Sequence, residues 1–431
     1  MKKFIPAAYA QYGREIDSKR AIPHYKDALK PVERRLLLSL FDEARKKFTS
    51  SSRIIGHCMG HYHHHGDASV YDSLAQLVRR NFAFGQGNWG QKGLKDRSQA
   101  AMRYTEVKTN PELSNLCFEL VDFVPWDDIE QLGINQPFFL PSPVPIGLIG
   151  ESIIHGIGFS YTQSPRYNFK DLLYRVINLL KINAGIENQY YTIKPQIENC
   201  DVYELNSGDF ENILQYGVGS VCVIPKMEVD EKGVHIYGKP PTRLNWHKYE
   251  NIYYNLIDLS SPFHILFEPI NGIVDQTFVN GVYQIVKSNI HFKCNFVNDD
   301  DIVVLFSIDE LLLNSYHTWV QLLEQKYVNQ LDKLQERKYE LEIITVIRQI
   351  LENNPTFTSV NNIVDNFDKN YQQYYPNISS EDIGKIAGKN SIKKLVEISI
   401  NMNDVNNEIF ETQNIINDIV NIAYNKFTTF L

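Results

Sequence analysis

Apolar residues recur with a helical period over residues 29–48, LKPVERRLLLSLFDEARKKF, where Leu37, Leu40 and Phe41 share a face and Pro31 is tolerated in the first turn. A second helix is predicted over residues 67–80, opened by Gly66-Asp67 and closed by Arg79-Arg80. Glycines 85, 87, 90 and 93 then impose turns, and short helices followed by a glycine-punctuated extended segment are compatible with a winged helix-turn-helix. From 200 to 308 the period changes to two. GSVCVIPKMEVDEKGVHIYG alternates across a turn at Glu231-Lys232-Gly233, and HILFE, SNIHFKCNFV and DDIVVLFSI read as further strands of a mixed α/β domain. Near the C-terminus Val320, Tyr327, Leu334 and Leu341 recur every seven residues, with Leu323 and Ile344 at the second seam position and Pro355 ending the run. Val405, Ile409, Thr412, Ile416, Ile419 and Ala423 alternate spacings of four and three. Two such seams, separated by a stretch rich in Asn and Asp, predict an antiparallel coiled coil carrying a small helical tip. The expected fold class is therefore α+β and multidomain, divided at 1–165, 166–308, 309–352 with 401–431, and 353–400.

Composition sharpens the picture once it is divided along the chain. The 431 residues are 43% hydrophobic and 22% charged, which excludes fibrous and wholly disordered classes. A formal net charge of −8 argues on its face against a nucleic-acid binder. However, residues 1–110 hold 20 Lys+Arg against 10 Asp+Glu, while the remainder holds 23 against 41. A basic block of domain size on an acidic body is the distribution expected when one domain meets phosphates, although a merely solvated basic face has the same composition. The five cysteines are scattered without a CxxC pair, which suggests a reducing cytoplasm and no cysteine zinc site. The start, MKKFIPAAYA, has too short an apolar stretch for a signal peptide, and no run approaches the roughly 18 residues of a membrane span.

Several motifs could carry chemistry. His57, His61, His63, His64 and His65 are dense enough to suggest zinc, but they lack an accompanying Cys or HExxH, and phosphate-facing or structural roles compete. Gly85-Gln86-Gly87-Asn88-Trp89-Gly90 satisfies GxGxxG formally but precedes the polar QKGLKDRSQ rather than a helix. Residues 384–390, GKIAGKN, lack the spacing and hydroxyl of a phosphate loop. In AAMRYTE, Tyr104 follows Arg103 at the end of the basic block. A phenol of pKa about 10 needs help to act as a nucleophile, and its natural covalent partner is a phosphorus centre whose developing charge an arginine stabilises.

Four blocks taken together resemble the breakage-reunion subunit of type IIA DNA topoisomerases: RAIPHYKDALKPVERR (20–35), YHHHGDASVYDSL (62–74), FGQGNWG with AAMRYTE (84–90 and 100–106), and LVDFVPWDD (120–128) leading to PSPVPIGLIG. The chain is most similar to the medium subunit of phage type II topoisomerases, and it also resembles the N-terminal core of the gyrase A protein. The resemblance implies a winged-helix (CAP-like) breakage-reunion domain (1–165), a tower (166–308), and a coiled coil with a C-gate dimerisation tip. It implies that Tyr104 attacks a DNA phosphate to form a 5′-phosphotyrosyl link, with Arg103 stabilising the transition state. Arg20, Lys30, Arg34, Arg35, His63 and His65 would line the DNA, and Ile157 would wedge between base steps. His64 stands where the family usually has proline, and Glu33 where gyrases often have histidine. No metal site is expected in this chain, since Asp299-Asp300-Asp301 lacks the companion glutamate motif. Mg2+ and ATP would be bound by a separate ATPase/toprim large subunit, joining a homodimer of this chain on double-stranded DNA, in the cytoplasm (the host's, if phage-encoded). The expected function is ATP-dependent relaxation or decatenation. The alternatives are a non-catalytic architectural DNA-binding protein on the same fold and a zinc-dependent nuclease.

Overall fold

In the computed structural model, which describes residues 4–63, 66–129, 134–241, 246–260, 263–389, 395 and 401–431, the chain divides into two compact units. The first is Met1–Val320 with Lys426–Leu431, and the second is Gln321–Asn425.

The first unit opens with helix α1 (Phe4–Ile16), which runs into a π-helical turn, Asp17–Ala21. Helix α2 (Pro31–Glu43) begins at the proline the sequence marks, its first turn closed by the Lys30 N–H donating to Glu33 Oε2 at 2.9 Å. It stops five residues before the apolar pattern does, because the carbonyls of its last turn are claimed from outside. Thr109 Oγ1 donates to the Leu40 carbonyl (2.7 Å) and Thr49 Oγ1 to that of Glu43 (3.0 Å). Strand β1 (Thr49–Ser50) leads into α3 (Ser51–His61), and α4 (Asp67–Arg79) follows. Strands β2 (Ala83–Gln86) and β3 (Glu106–Thr109) complete an antiparallel sheet of order β1-β3-β2. Leu36, Leu37 and Leu40 of α2, Ile54 and Ile55 of α3, and Val70, Leu74 and Leu77 of α4 meet Val107 in one core. The amphipathic stripe of α4 buries one face, whereas α2 is buried all round from Arg34 to Leu40 and leaves Phe41 half-buried.

Beyond it come α5 (Pro111–Phe118) and the hairpin β4 (Trp126–Ile129) and β5 (Ile134–Pro137). Then follow β6 (Ile153–Ile157), β7 (Tyr161–Pro165), α6 (Phe169–Asn183), β8 (Cys200–Glu204), α7 (Asp209–Tyr216) and β9 (Val218–Pro225). Next are β10 (Met227–Val229), β11 (Val234–Ile236), β12 (Tyr254–Asp258), β13 (Ile265–Pro269), α8 (Gln276–Val286), β14 (Ser288–Lys293), β15 (Asn295–Val297) and β16 (Val303–Leu305). Two larger sheets result, β6-β7-β14-β9-β8 and β10-β11-β13-β12, and β15 pairs with β16. The first joins strands from either side of residue 165. The hairpin read at Glu231-Lys232-Gly233 pairs β10 with β11, Asp230 accepting from the N–H groups of Lys232 and Gly233.

The long helix α9 (Ile308–Asn353) ends two residues before Pro355. In the second unit its Leu323, Leu331, Leu334, Leu341 and Ile344 are buried, whereas Gln330 and Arg337, which a strict heptad puts at the second seam position, are exposed. Helices α10 (Val360–Asn370), α11 (Ser380–Lys389) and α12 (Met402–Asn417) follow, with a core of Ile343, Ile347, Ile350, Ile363, Phe367, Ile383 and Val405. Residues 384–389 lie inside α11 rather than in a phosphate-binding loop. The second seam is not one helix: α13 (Ile419–Thr428) starts anew after Asp418, whose backbone leaves the helical region (φ −117°, ψ 25°) and whose carboxylate accepts from Asn421 Nδ2 at 2.6 Å. Thr412, Ile419 and Ala423 stay buried on either side of the break.

Candidate active site and nucleic-acid interface

Tyr104 ends a single 3-10 turn, Met102–Tyr104, between the glycine-rich loop and β3. Its ring is 66% exposed, which a packing tyrosine avoids. The Arg103 guanidinium, itself exposed, lies 4.6 Å from the ring centroid, so the cation is already beside the phenol. What holds the turn is a buried hydroxyl chain behind it. Thr105 Oγ1 and the Tyr71 hydroxyl are 2.8 Å apart, Thr105 Oγ1 donates to Ser51 Oγ (2.8 Å), and the Tyr71 hydroxyl reaches the Ala100 carbonyl (2.7 Å). The Ser51 N–H, at the start of α3, donates to the Thr105 carbonyl at 3.0 Å. Buried hydrogen bonds of this kind contribute about 0.5–1.5 kcal/mol each and fix direction as well as energy. The burial of Tyr71 raises the pKa of its phenol, so it remains a neutral donor.

The GxGxxG loop faces this turn rather than a nucleotide. Strand β2 continues into it antiparallel to β3, and Gly87 adopts φ +95°, where a Cβ would come within 2.8 Å of the Tyr104 carbonyl oxygen. Gly87→Ala is therefore expected to strain the loop by about 1–3 kcal/mol and displace the tyrosine. Differential scanning calorimetry should show the lower melting temperature that follows from this strain.

The basic candidates fall into distinct environments. Arg20 is exposed on the π-helical turn, where no partner is found for it among the described residues. That turn is packed on the β6–β7 hairpin: Asp17 Oδ1 accepts from the N–H groups of Phe159 (2.8 Å) and Ser160 (3.1 Å), and a Cβ on Gly158 would lie 2.2 Å from Asp17 Oδ1. Ile157, at the end of β6, is 66% exposed, so Arg20 and Ile157 belong to one surface feature. Arg35 is buried and donates to Gln136 Oε1 (2.7 Å) and to His63 Nδ1 (2.7 Å). A guanidinium only donates, so His63 Nδ1 accepts and a neutral His63 carries its proton on Nε2. His64 and His65 lie outside the described residues. Arg34 is turned inward: Nε and Nη2 donate to the buried Asp27 carboxylate at 2.7 and 3.1 Å, and the structure does not bring it to the surface with Arg20.

Lys30 is half-buried at the start of α2, and burial, with Arg166 nearby, lowers its pKa against the opposing pull of Glu33. Arg80 donates to Glu33 Oε1 (2.7 Å), and both Arg80 Nη2 (3.4 Å) and Arg166 Nε (2.9 Å) donate to the Gly147 carbonyl. Three cations thus surround one carboxylate, and Arg80 Nε has no hydrogen-bond partner among the described residues. A positive excess held in partly desolvated surroundings favours an anion. Sequence reasoning missed Arg80 and Arg166 as members of this group. Arg80 read as a helix end, and Arg166 has no sequence neighbour that points to it.

The histidine-rich helix does not assemble a metal centre. His57 and His61 stack with ring centroids 4.2 Å apart, and His61 Nδ1 bonds to the His57 carbonyl (3.0 Å). Asp299 accepts from the Tyr25 hydroxyl (2.8 Å) and pairs with Lys26 (3.0 Å), while Asp301 pairs with Lys19 (3.1 Å), so the carboxylates of this loop serve as counter-charges for lysines. Among the described residues no three His, Cys, Asp or Glu side chains are grouped to hold a metal ion, Mg2+ included. Nor is any described helix long and apolar enough to cross a membrane.

An exposed tyrosine beside an exposed arginine thus sits on a helical domain rich in cations. The family model for the DNA gyrase/topoisomerase IV A subunit matches residues 20–428, and the chain belongs to this family. It is 28% identical over 382 residues to the DNA gyrase A subunit of Haemophilus influenzae, covering 81% of this chain and 42% of that protein. It is 35% identical over 302 residues to the DNA gyrase A subunit of Campylobacter fetus, covering 66% and 33%. The DNA topoisomerase 4 A subunit of Neisseria gonorrhoeae is 29% identical over 255 residues, covering 53% and 31%. The chain thus spans less than half the length of these relatives.

Proposed function

We propose that this chain is the DNA breakage-reunion subunit of an ATP-dependent type II topoisomerase, and that the observation carrying this reading is the exposed Tyr104–Arg103 pair on its buried hydroxyl support. The Tyr104 oxygen gives up its proton and attacks a backbone phosphorus. The new P–O bond forms as the bond to the 3′-oxygen breaks, and that oxygen takes up a proton. The product is a 5′-phosphotyrosyl link and a free 3′-hydroxyl, and reversal reseals the strand. Arg103 lies where it would offset the charge that develops on phosphorus-bound oxygens. The Arg35–Gln136–His63 network fixes the buried His63 ring behind the site, and the Lys30–Arg80–Arg166 group attracts a neighbouring phosphate. Ile157 at the hairpin end is the wedge that bends the duplex, as apolar side chains do in other bending proteins.

Helices α2 to α4 with the β1-β3-β2 sheet act as the winged-helix domain, the two larger sheets as the tower, and α9 with α12 and α13 as a coiled coil ending in a C-gate. The protein works as a homodimer whose two tyrosines cut opposite strands, together with a separate ATPase/toprim subunit that supplies Mg2+ and ATP. Likeness to the medium subunit of phage enzymes and a cytoplasmic (or host-cytoplasmic) location complete the reading. The test is a cleavage assay stopped with detergent and protease: protein covalently attached to DNA 5′ ends supports it, and free 5′ phosphates overturn it. In the same reconstitution, Arg20→Ala is expected to reduce the slope of log affinity against log salt by about 0.9 with no loss of thermal stability, as removal of one phosphate contact does. Fluorescence-anisotropy titrations at several salt concentrations check this.

A further inference from the structure

The segment before the tyrosine turn, QKGLKDR, looks like a polar loop in the sequence, yet residues 91–97 are fastened along their whole length to the strand-rich part of the first unit. The loop closes on itself where the Gln91 N–H donates to the Arg97 carbonyl (3.0 Å) and the Arg97 N–H to that of Gln91 (2.9 Å). Leu94 at its tip, half-buried, packs against the core of the β10-β11-β13-β12 sheet, the one built on Val234, Ile236, Trp246 and Phe267. Its N–H donates to Asp258 Oδ2 at 3.1 Å. Lys239 Nζ donates to the Gly93 carbonyl (3.1 Å) and to Asp96 Oδ1 (2.7 Å), Lys92 pairs with Glu198, and the Gln91 side chain donates to the Ser260 carbonyl. On the other side the chain runs directly to the active turn. Gln99 Nε2 donates to Asp72 (2.6 Å), and the Ala100 N–H to the Asn88 carbonyl (2.9 Å). Arg103 follows Arg97 by six positions.

We propose that this loop is a latch by which the β10–β13 sheet sets the position of the Arg103–Tyr104 turn, with Leu94 and Lys239 as positioning residues for strand cleavage. The proposal rests on the reading of Tyr104 as the nucleophile. An apolar side chain packed against a second core and a lysine bridging two acceptors exceed what a surface loop needs. Anchoring both ends of the short segment removes the freedom that the exposed tyrosine would otherwise have, and attack on phosphorus is sensitive to displacements of about 1 Å. The latch also makes cleavage respond to movements of that sheet.

The experiment uses the full chain reconstituted with its ATPase/toprim partner on a short duplex of defined sequence, measuring duplex affinity and covalent attachment separately. Leu94→Ala is expected to leave affinity within about twofold and lower the attachment rate at least about tenfold, with Leu94→Met restoring it to within about threefold. Lys239→Ala, which leaves the core untouched, should lower attachment by about threefold at unchanged affinity and unchanged melting temperature. Attachment that stays at the wild-type rate in both Ala variants, or that falls only in parallel with affinity, overturns the latch while leaving the nucleophile assignment intact. A wild-type protein that binds DNA without becoming attached overturns the nucleophile reading and the latch with it.

Discussion

Tyr104→Phe, reconstituted with the ATPase/toprim partner, is expected to lose covalent attachment to DNA and relaxation of supercoiled plasmid by at least about a thousandfold, because the variant removes the attacking oxygen. DNA affinity should change by less than about twofold, since the ring is exposed, its hydroxyl has no protein partner among the described residues, and the support lies behind it in Tyr71, Thr105 and Ser51. The measurement is a detergent-stopped cleavage gel beside a plasmid relaxation series. Retention of both activities shows that Tyr104 is not the attacking residue and overturns its assignment, and retention of cleavage with free 5′ ends makes the protein a nuclease. Arg103→Ala separates the roles further, since it leaves the nucleophile and removes the cation 4.6 Å from the ring. It should slow attachment without abolishing it.

Much of this was legible in the chain itself, and the reason differs from element to element. Helices α2 and α4 announced themselves because a start signal and an apolar stripe coincide, at Pro31 and at Gly66-Asp67. The end of α2 was not legible, because it is set by hydroxyls of Thr49 and Thr109, the latter 69 residues from the carbonyl it reaches. The break at Asp418 shows the opposite failure, in which a seam repeat continues through a residue whose side chain prefers to cap a helix. Within the site, Arg103 and Tyr104 were readable because they are adjacent in sequence. The Lys30–Arg80–Arg166 group and the docking of Leu94 were not, since each joins segments far apart in sequence whose residue types are ordinary on any surface.

Arg34 shows what the same distinction means for energy. The family resemblance groups it with DNA-lining residues, but its guanidinium is buried against Asp27, which also accepts from the N–H groups of Leu29 (3.0 Å) and Leu140 (3.0 Å). Four donors converge on one carboxylate, and that carboxylate ties the approach to α2 to a segment more than a hundred residues later. Removing the arginine leaves a charge in the core with half of its donors, so Arg34→Ala is expected to cost about 3–5 kcal/mol. For a unit of this size the melting temperature should fall by roughly 4–7 °C in differential scanning calorimetry. Arg34→Met with Asp27→Leu should recover part of this loss, because the pair is costly to break and cheaper to replace as a whole. At a temperature where Arg34→Ala remains folded, its salt slope for duplex binding should match wild type, in contrast to Arg20→Ala. A slope reduced by about one unit would instead place Arg34 on a phosphate and require the Asp27 pair to open when DNA binds.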